Sequence, residues 1–212
     1  MASNRLLKAR ALRCACAVLW FVLPATGMSA DDRDAKFFAL WVAQGNARDV
    51  ASFEAFLRRE ALDKIAPIQQ LLRTASDWQT SACRQVEAAP FEVPPEKLWP
   101  STARTLRLVA RLRAEKVLPA FEIVSAYRNE RVESCADGAG KRHPTGAALD
   151  IVPLLPDELA STVERICNFW WREGREHKMG FSLYPSGRMH IDTTSYGTWG
   201  SDRKFASSVC RR

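Results

Sequence analysis

Three stretches toward the start of the chain, AKFFALWVAQ, ASFEAFLRREAL and IAPIQQLLRTASDW, set apolar residues three or four apart. That spacing gathers them on one face of a helix and predicts a helical region from Asp34 to roughly Ala82. APFEVPPEKLWP follows, rich in proline, and reads as a linker. STARTLRLVARLRAEK returns to helical spacing, with Ser101 as the expected N-cap. Beyond Pro119 the period changes. AFEIVSAY, ALDIVP, MGFSLYP and RMHIDT each read as strands, the last two separated by the turn PSG. Between the second and third lies PDELASTVERICNFWWREG, a helix with Leu159, Val163, Ile166 and Trp170 on one face. This pattern predicts an α+β domain: an antiparallel sheet with flanking helices, preceded by a small helical region. The expected division is residues 31–95 for the helical region and linker, and 96–212 for the sheet-containing domain.

Residues 1–30 carry a different pattern. Arg5, Lys8, Arg10 and Arg13 precede the apolar run CACAVLWFVLP, then the small residues ATGMSA, then Asp31 and Asp32. This order is that of a secretory signal peptide, with cleavage expected after Ala30 or Gly27. The apolar run is short for a permanent span, so a periplasmic or secreted protein without a stable membrane anchor is expected after processing. Cleavage also changes the charge. The whole chain is +7, from 31 basic and 24 acidic residues. Residues 1–30 hold four basic residues and no acidic one, so the mature chain has 27 against 24, or +3. A balance this even, with no basic patch, argues against a nucleic-acid partner. A monomer is the expected form.

Processing leaves Cys83, Cys135, Cys167 and Cys210. An even count in an exported chain predicts two disulfides, for which three connectivities exist. Wide spacings and the absence of a CxxC motif argue against a cysteine metal site. The expected pairing is Cys83 with Cys135 and Cys167 with Cys210.

Candidate chemistry centres on Asp150, the one polar side chain between Ala147 and Val152. Burying an ionised carboxylate there costs several kcal/mol unless it is paired. A hydrogen-bonded structural aspartate is one reading. A metal ligand is the other. His190 and Asp192 are two apart in a strand and share a face. His143 lies seven residues before Asp150, with Pro144 and Gly146 allowing a turn between them. Two imidazoles and a carboxylate, with a fourth position open, form a known catalytic zinc arrangement.

SAYRN, RHPTGAALDIVP and SGRMHIDTTSYGTWG occur in that order. Over about residues 120–200 the chain thereby resembles the D-alanyl-D-alanine carboxypeptidase family of zinc peptidases, which shares the hedgehog fold. The resemblance implies a zinc peptidase domain in which His143, Asp150 and His190 hold Zn2+. It implies that Arg128, closing the first motif, stabilises an oxyanion, a role suited to a fixed cation. Ser125 and Tyr127, alternating along the same strand, are expected to line the substrate pocket. The implied substrate is a D-amino-acid peptide bond of a peptidoglycan stem peptide, cut by a carboxypeptidase or a crosslink endopeptidase.

Two positions depart from the family pattern. Lys141 stands where a small hydroxyl residue is common. Gly187 stands three residues before His190, where many members carry a carboxylate as general base. Asp192 is then the local candidate for that base, or else a carboxylate that orients a metal ligand. Two rival readings follow: a catalytically silent, zinc-containing cell-wall binding module, and an exported structural protein without metal.

Overall fold

The computed structural model describes residues 30–75, 82–85, 89–136 and 141–212. The expected signal peptide, apart from its last residue, lies outside the described residues. The fold is α+β. An N-terminal helical region, α1 (Ala30–Trp41), α2 (Ala47–Arg59) and the single turn α3 (Ile68–Leu71), leads into α4 (Trp99–Ala114). Then come β1 (Phe121–Ser125), α5 (Glu130–Cys135), β2 (Ala148–Pro153) and α6 (Leu159–Glu173). β3 (Gly180–Leu183), β4 (Met189–Asp192) and β5 (Gly197–Trp199) complete the sheet.

The third expected helix is cut to four residues, because the chain turns extended to meet the proline-rich segment. Arg73 forms a β-bridge with Phe91, and the Thr74 amide donates to the Pro90 carbonyl at 2.8 Å. That segment is therefore packed rather than a bare linker: Phe91 is buried and its ring meets Phe38 edge-on. α4 begins at Trp99, with Pro100 in its first turn and no side-chain cap, so Ser101 lies inside the helix. Trp99 sets that start. Its ring packs against Phe53 and Phe56, and its indole N–H donates to the Pro94 carbonyl at 2.7 Å.

The sheet order is β1-β2-β4-β3-β5. Its first four strands pair antiparallel, as expected, but β5 lies parallel to β3, so the sheet is mixed. After β4 the chain crosses the start of β3 and runs back along its far side, with Gly180 paired to both Asp192 and Gly197. Alternation along the strands splits the sheet into two faces. Leu149, Ile151, Phe181, Met189 and Ile191 enter one hydrophobic cluster with Leu106, Val109 and Leu112 of α4, and Ile166, Phe169 and Trp170 of α6. Val50, Phe53 and Leu57 of α2 belong to the same cluster. The opposite face carries a row that runs across every strand in register: Ser125, Asp150, His190, Ser182 and Trp199. A bulge between Ile123 and Ser125 sets Ser125 opposite Asp150.

Both expected disulfides are present, Cys83–Cys135 and Cys167–Cys210. Disulfides form and persist in oxidising compartments, so the pair is compatible with a periplasmic or extracellular protein. Among the described residues, no helix is long and apolar enough to cross a membrane.

Candidate metal centre

Asp150 and His190 are register partners on neighbouring strands, and a short turn of helix over His143–Thr145 swings the third member in beside them. Gly146 ends that turn at a φ of 70°, a left-handed conformation natural to glycine. Asp150 Oδ1 stands 2.8 Å from His190 Nδ1 and 3.4 Å from His143 Nε2. One ligand atom from each residue lies within 4.8 Å of the others, and all three residues are buried. Bonds of about 2.0–2.2 Å to one ion require donors roughly 3–4 Å apart, so the group is slightly wider than a closed site. In this structure Asp150 takes a hydrogen bond from the His190 imidazole instead.

Each imidazole is oriented by a partner behind it. His143 Nδ1 lies 2.6 Å from the Ala126 carbonyl, which only accepts; the proton therefore sits on Nδ1 and Nε2 faces Asp150. His190 stands between two carboxylates, Asp150 at Nδ1 and Asp192 Oδ2 at Nε2, the latter at 3.2 Å. Burial lowers the His190 pKa, but the hydrogen bonds to Asp150 and Asp192 outweigh it and the net shift is upward. Burial and the Arg128 charge push His143 down. Burial acts to raise Asp150, yet the two histidines hold it well below the usual carboxylate range. An ionised Asp150 thus faces a His190 inclined to keep its proton. A metal ion would displace that Nδ1 proton.

Asp192 is fully buried behind His190. Oδ2 meets Arg142 Nε at 3.0 Å, and Oδ1 accepts from the Thr194 amide at 2.8 Å and from the Thr194 hydroxyl. Gly180 makes room for it, since a Cβ there would run into the carboxylate. Arg128 is also buried, 4% exposed, and serves several acceptors at once. Nη2 donates to Asp150 Oδ2 at 3.0 Å, Nη1 to Glu133 Oε2 at 3.3 Å, and Nε to the Thr74 carbonyl and Ser125 Oγ.

A groove of about 780 Å³ opens over the group, with Arg128, Glu133, Tyr184 and Trp199 among its walls. Ser125 and Tyr127 do not line it. Ser125 is buried, donating to the Thr74 carbonyl at 2.5 Å, and acts on Arg128 from behind. Tyr127 follows the end of β1 and is nearly buried, its phenol pushed up by burial and by Glu92 and Glu130. Asp192 is likewise absent from the walls. Gly187 sits in the β3–β4 turn at a φ of 82°, donating to the Tyr184 carbonyl at 2.9 Å. That left-handed backbone strains any residue with a Cβ, a physical reason for glycine at this position.

Sequence reasoning did not single out several groove residues, Tyr184, Glu133, Arg142 and Arg188 among them. Tyr184 borders His190 edge-on, and burial followed by the Asp150 charge pushes its phenol up to about 12. YPSGR marks Tyr184 and Arg188 as residues of a hairpin beside His190, a usable signal; Glu133 carries none. Comparison with family models, with curated proteins and with solved structures finds no match for the chain.

Proposed function

We propose that the protein is an exported zinc metallopeptidase of the hedgehog/DD-peptidase type, hydrolysing D-amino-acid peptide bonds in peptidoglycan stem peptides. The observation that carries this reading is a buried His143–Asp150–His190 group at the wall of a groove large enough for a peptide. The donor set fits zinc: two imidazole nitrogens and one carboxylate oxygen leave a fourth position for a reactant. In such a site zinc supplies Lewis-acid polarisation of a carbonyl.

The chain's own residues have separable tasks. The Ala126 carbonyl and Asp192 hold the two imidazoles by the nitrogens that face away from the ion, fixing tautomer and ring plane. Asp192 is assigned this positioning role rather than that of general base, because both its oxygens are engaged and neither reaches the groove. Arg128 anchors Asp150 through Oδ2, leaving Oδ1 toward the histidines. Its guanidinium also borders the groove, where it stabilises negative charge developing on the scissile carbonyl oxygen.

The test is to measure zinc content and digestion of purified peptidoglycan for metal-loaded, chelated and His143→Ala protein. The expected result is about one zinc per chain and release of peptide products by the loaded wild type only. Loaded protein that cuts nothing would remove the peptidase reading. One observation favours a second reading, a zinc-containing cell-wall binding module: both carboxylates on the groove wall, Asp150 and Glu133, are tied to Arg128. Retention of uncut muropeptides by the same loaded protein would support that module.

A further inference from the structure

Arg128 brings a charge to the groove, but its Nε, Nη1 and Nη2 each already donate to an acceptor of the protein. A direct hydrogen bond to a reacting oxygen calls for a donor that is not yet engaged. The Tyr184 hydroxyl meets that description. Among the described residues it has no hydrogen-bond partner, and it is not shut away from the groove that Tyr184 lines.

The side chain nevertheless has a fixed place. Tyr184 directly follows β3, and the turn to β4 holds its backbone on both sides. Its amide donates to the Arg188 carbonyl at 2.8 Å, and its carbonyl accepts from the Gly187 amide at 2.9 Å. The Arg188 guanidinium lies over its ring, 4.8 Å from the centre, and the ring stands edge-on to His190 with centres 6.5 Å apart. After burial, the strongest influence on the phenol is the Asp150 charge, ahead of Arg188, Arg128 and Glu133. Those are groove residues, so the phenol oxygen stands on the side of the candidate ligands. A donor preset in this way needs no reorganisation when charge develops beside it.

We propose that Tyr184 is a catalytic residue whose hydroxyl donates a hydrogen bond to the scissile carbonyl oxygen as negative charge develops there. The proton stays on the phenol, so no bond is made or broken at Tyr184. Arg128 acts on the same charge through its field, and Tyr184 by direct contact. The assignment rests on the peptidase reading for the reaction, and on the unengaged hydroxyl for the residue.

The test compares zinc-loaded full chain, wild type and Tyr184→Phe. Phenylalanine keeps the ring, its packing under Arg188 and its edge toward His190, and removes only the O–H. One probe is an N-acetylated peptide ending in D-Ala-D-Ala. The other is the same peptide with a phosphinate in place of its last amide bond, a tetrahedral anion resembling the charged state. Zinc content, kcat and KM are measured, with phosphinate binding followed by calorimetry. Tyr184→Phe should lower kcat by about 10²–10³-fold, the loss typical of one such donor, with KM and zinc content unchanged. Phosphinate affinity should fall by about 10–100-fold, the range for a hydrogen bond to a charged group. Loss of zinc, or a raised KM with kcat intact, makes Tyr184 a support of the site and overturns the assignment. Unchanged kcat and phosphinate affinity overturn it too. Phosphinate binding that depends on the hydroxyl, without cleavage by wild type, upholds the contact made by Tyr184 and removes the peptidase reading. Cleavage indifferent to the hydroxyl does the reverse.

Discussion

Replacing Arg128 with methionine keeps most of the side chain's apolar stem and deletes the guanidinium. Five acceptors lose a charged donor together: Asp150 Oδ2 at 3.0 Å, Glu133 Oε2 at 3.3 Å, the Thr74 carbonyl at 2.9 Å, Ser125 Oγ at 2.8 Å and the Ala136 carbonyl at 3.5 Å. Both carboxylates have side chains no more than 6% exposed, so neither can turn to bulk water without local opening. Breaking a buried pair by removing one partner typically costs about 3–5 kcal/mol. Asp150 retains both histidines, which places the expectation toward the lower end, about 3 kcal/mol for chelated protein. Zinc should reduce the loss, because the ion compensates the Asp150 charge that Arg128 abandoned and also binds only the folded chain. Urea unfolding followed by circular dichroism, in chelator and in excess zinc, measures both numbers. A loss below about 1 kcal/mol in chelator, the range of a surface ion pair, would refute the buried network described here.

Two further outcomes are expected. Asp192→Asn should weaken zinc affinity by roughly 10–100-fold, with hydrolysis recovering at high zinc, as for a residue that orients a ligand; unchanged zinc with turnover lost about 10²–10⁴-fold would instead identify a general base. Peptide mapping of unreduced protein should find Cys83 linked to Cys135 and Cys167 to Cys210, and eliminating either bridge should cost about 4 kcal/mol in the chain-entropy model for spans of 52 and 43 residues.

The parts of the fold that could be read in advance are those with a strong local period. RMHIDT alternates over enough residues to declare strand and face, so His190 and Asp192 were legible as sharing one face, and Asp150 was legible as the lone charge in the apolar run ALDIVP. α6 shows its buried face as a stripe. GTW, three residues long, has no period to read; it becomes β5 because the backbone of β3 offers an unpaired edge. The long helix expected after Ile65 fails for a related reason, since pairing of Arg73 and Thr74 with the proline-rich segment outweighs helical spacing.

At the site the division is sharper. Residue types and their order were enough to nominate His143, Asp150 and His190, because few side chains suit a metal and a charge inside an apolar run needs a partner. Which other groups meet them depends on contacts spanning tens of residues. Arg128 meets Asp150 across 22 positions and Thr74 across 54. Ser125 alternates correctly along its strand, yet the segment at Thr74 covers it and turns a wall residue into a support. Asp192 shares His190's face, yet Arg142 and Thr194 close over it. Hydrogen-bond partners in a buried site are chosen by distance in space, and distance in space is set only once separate elements have packed.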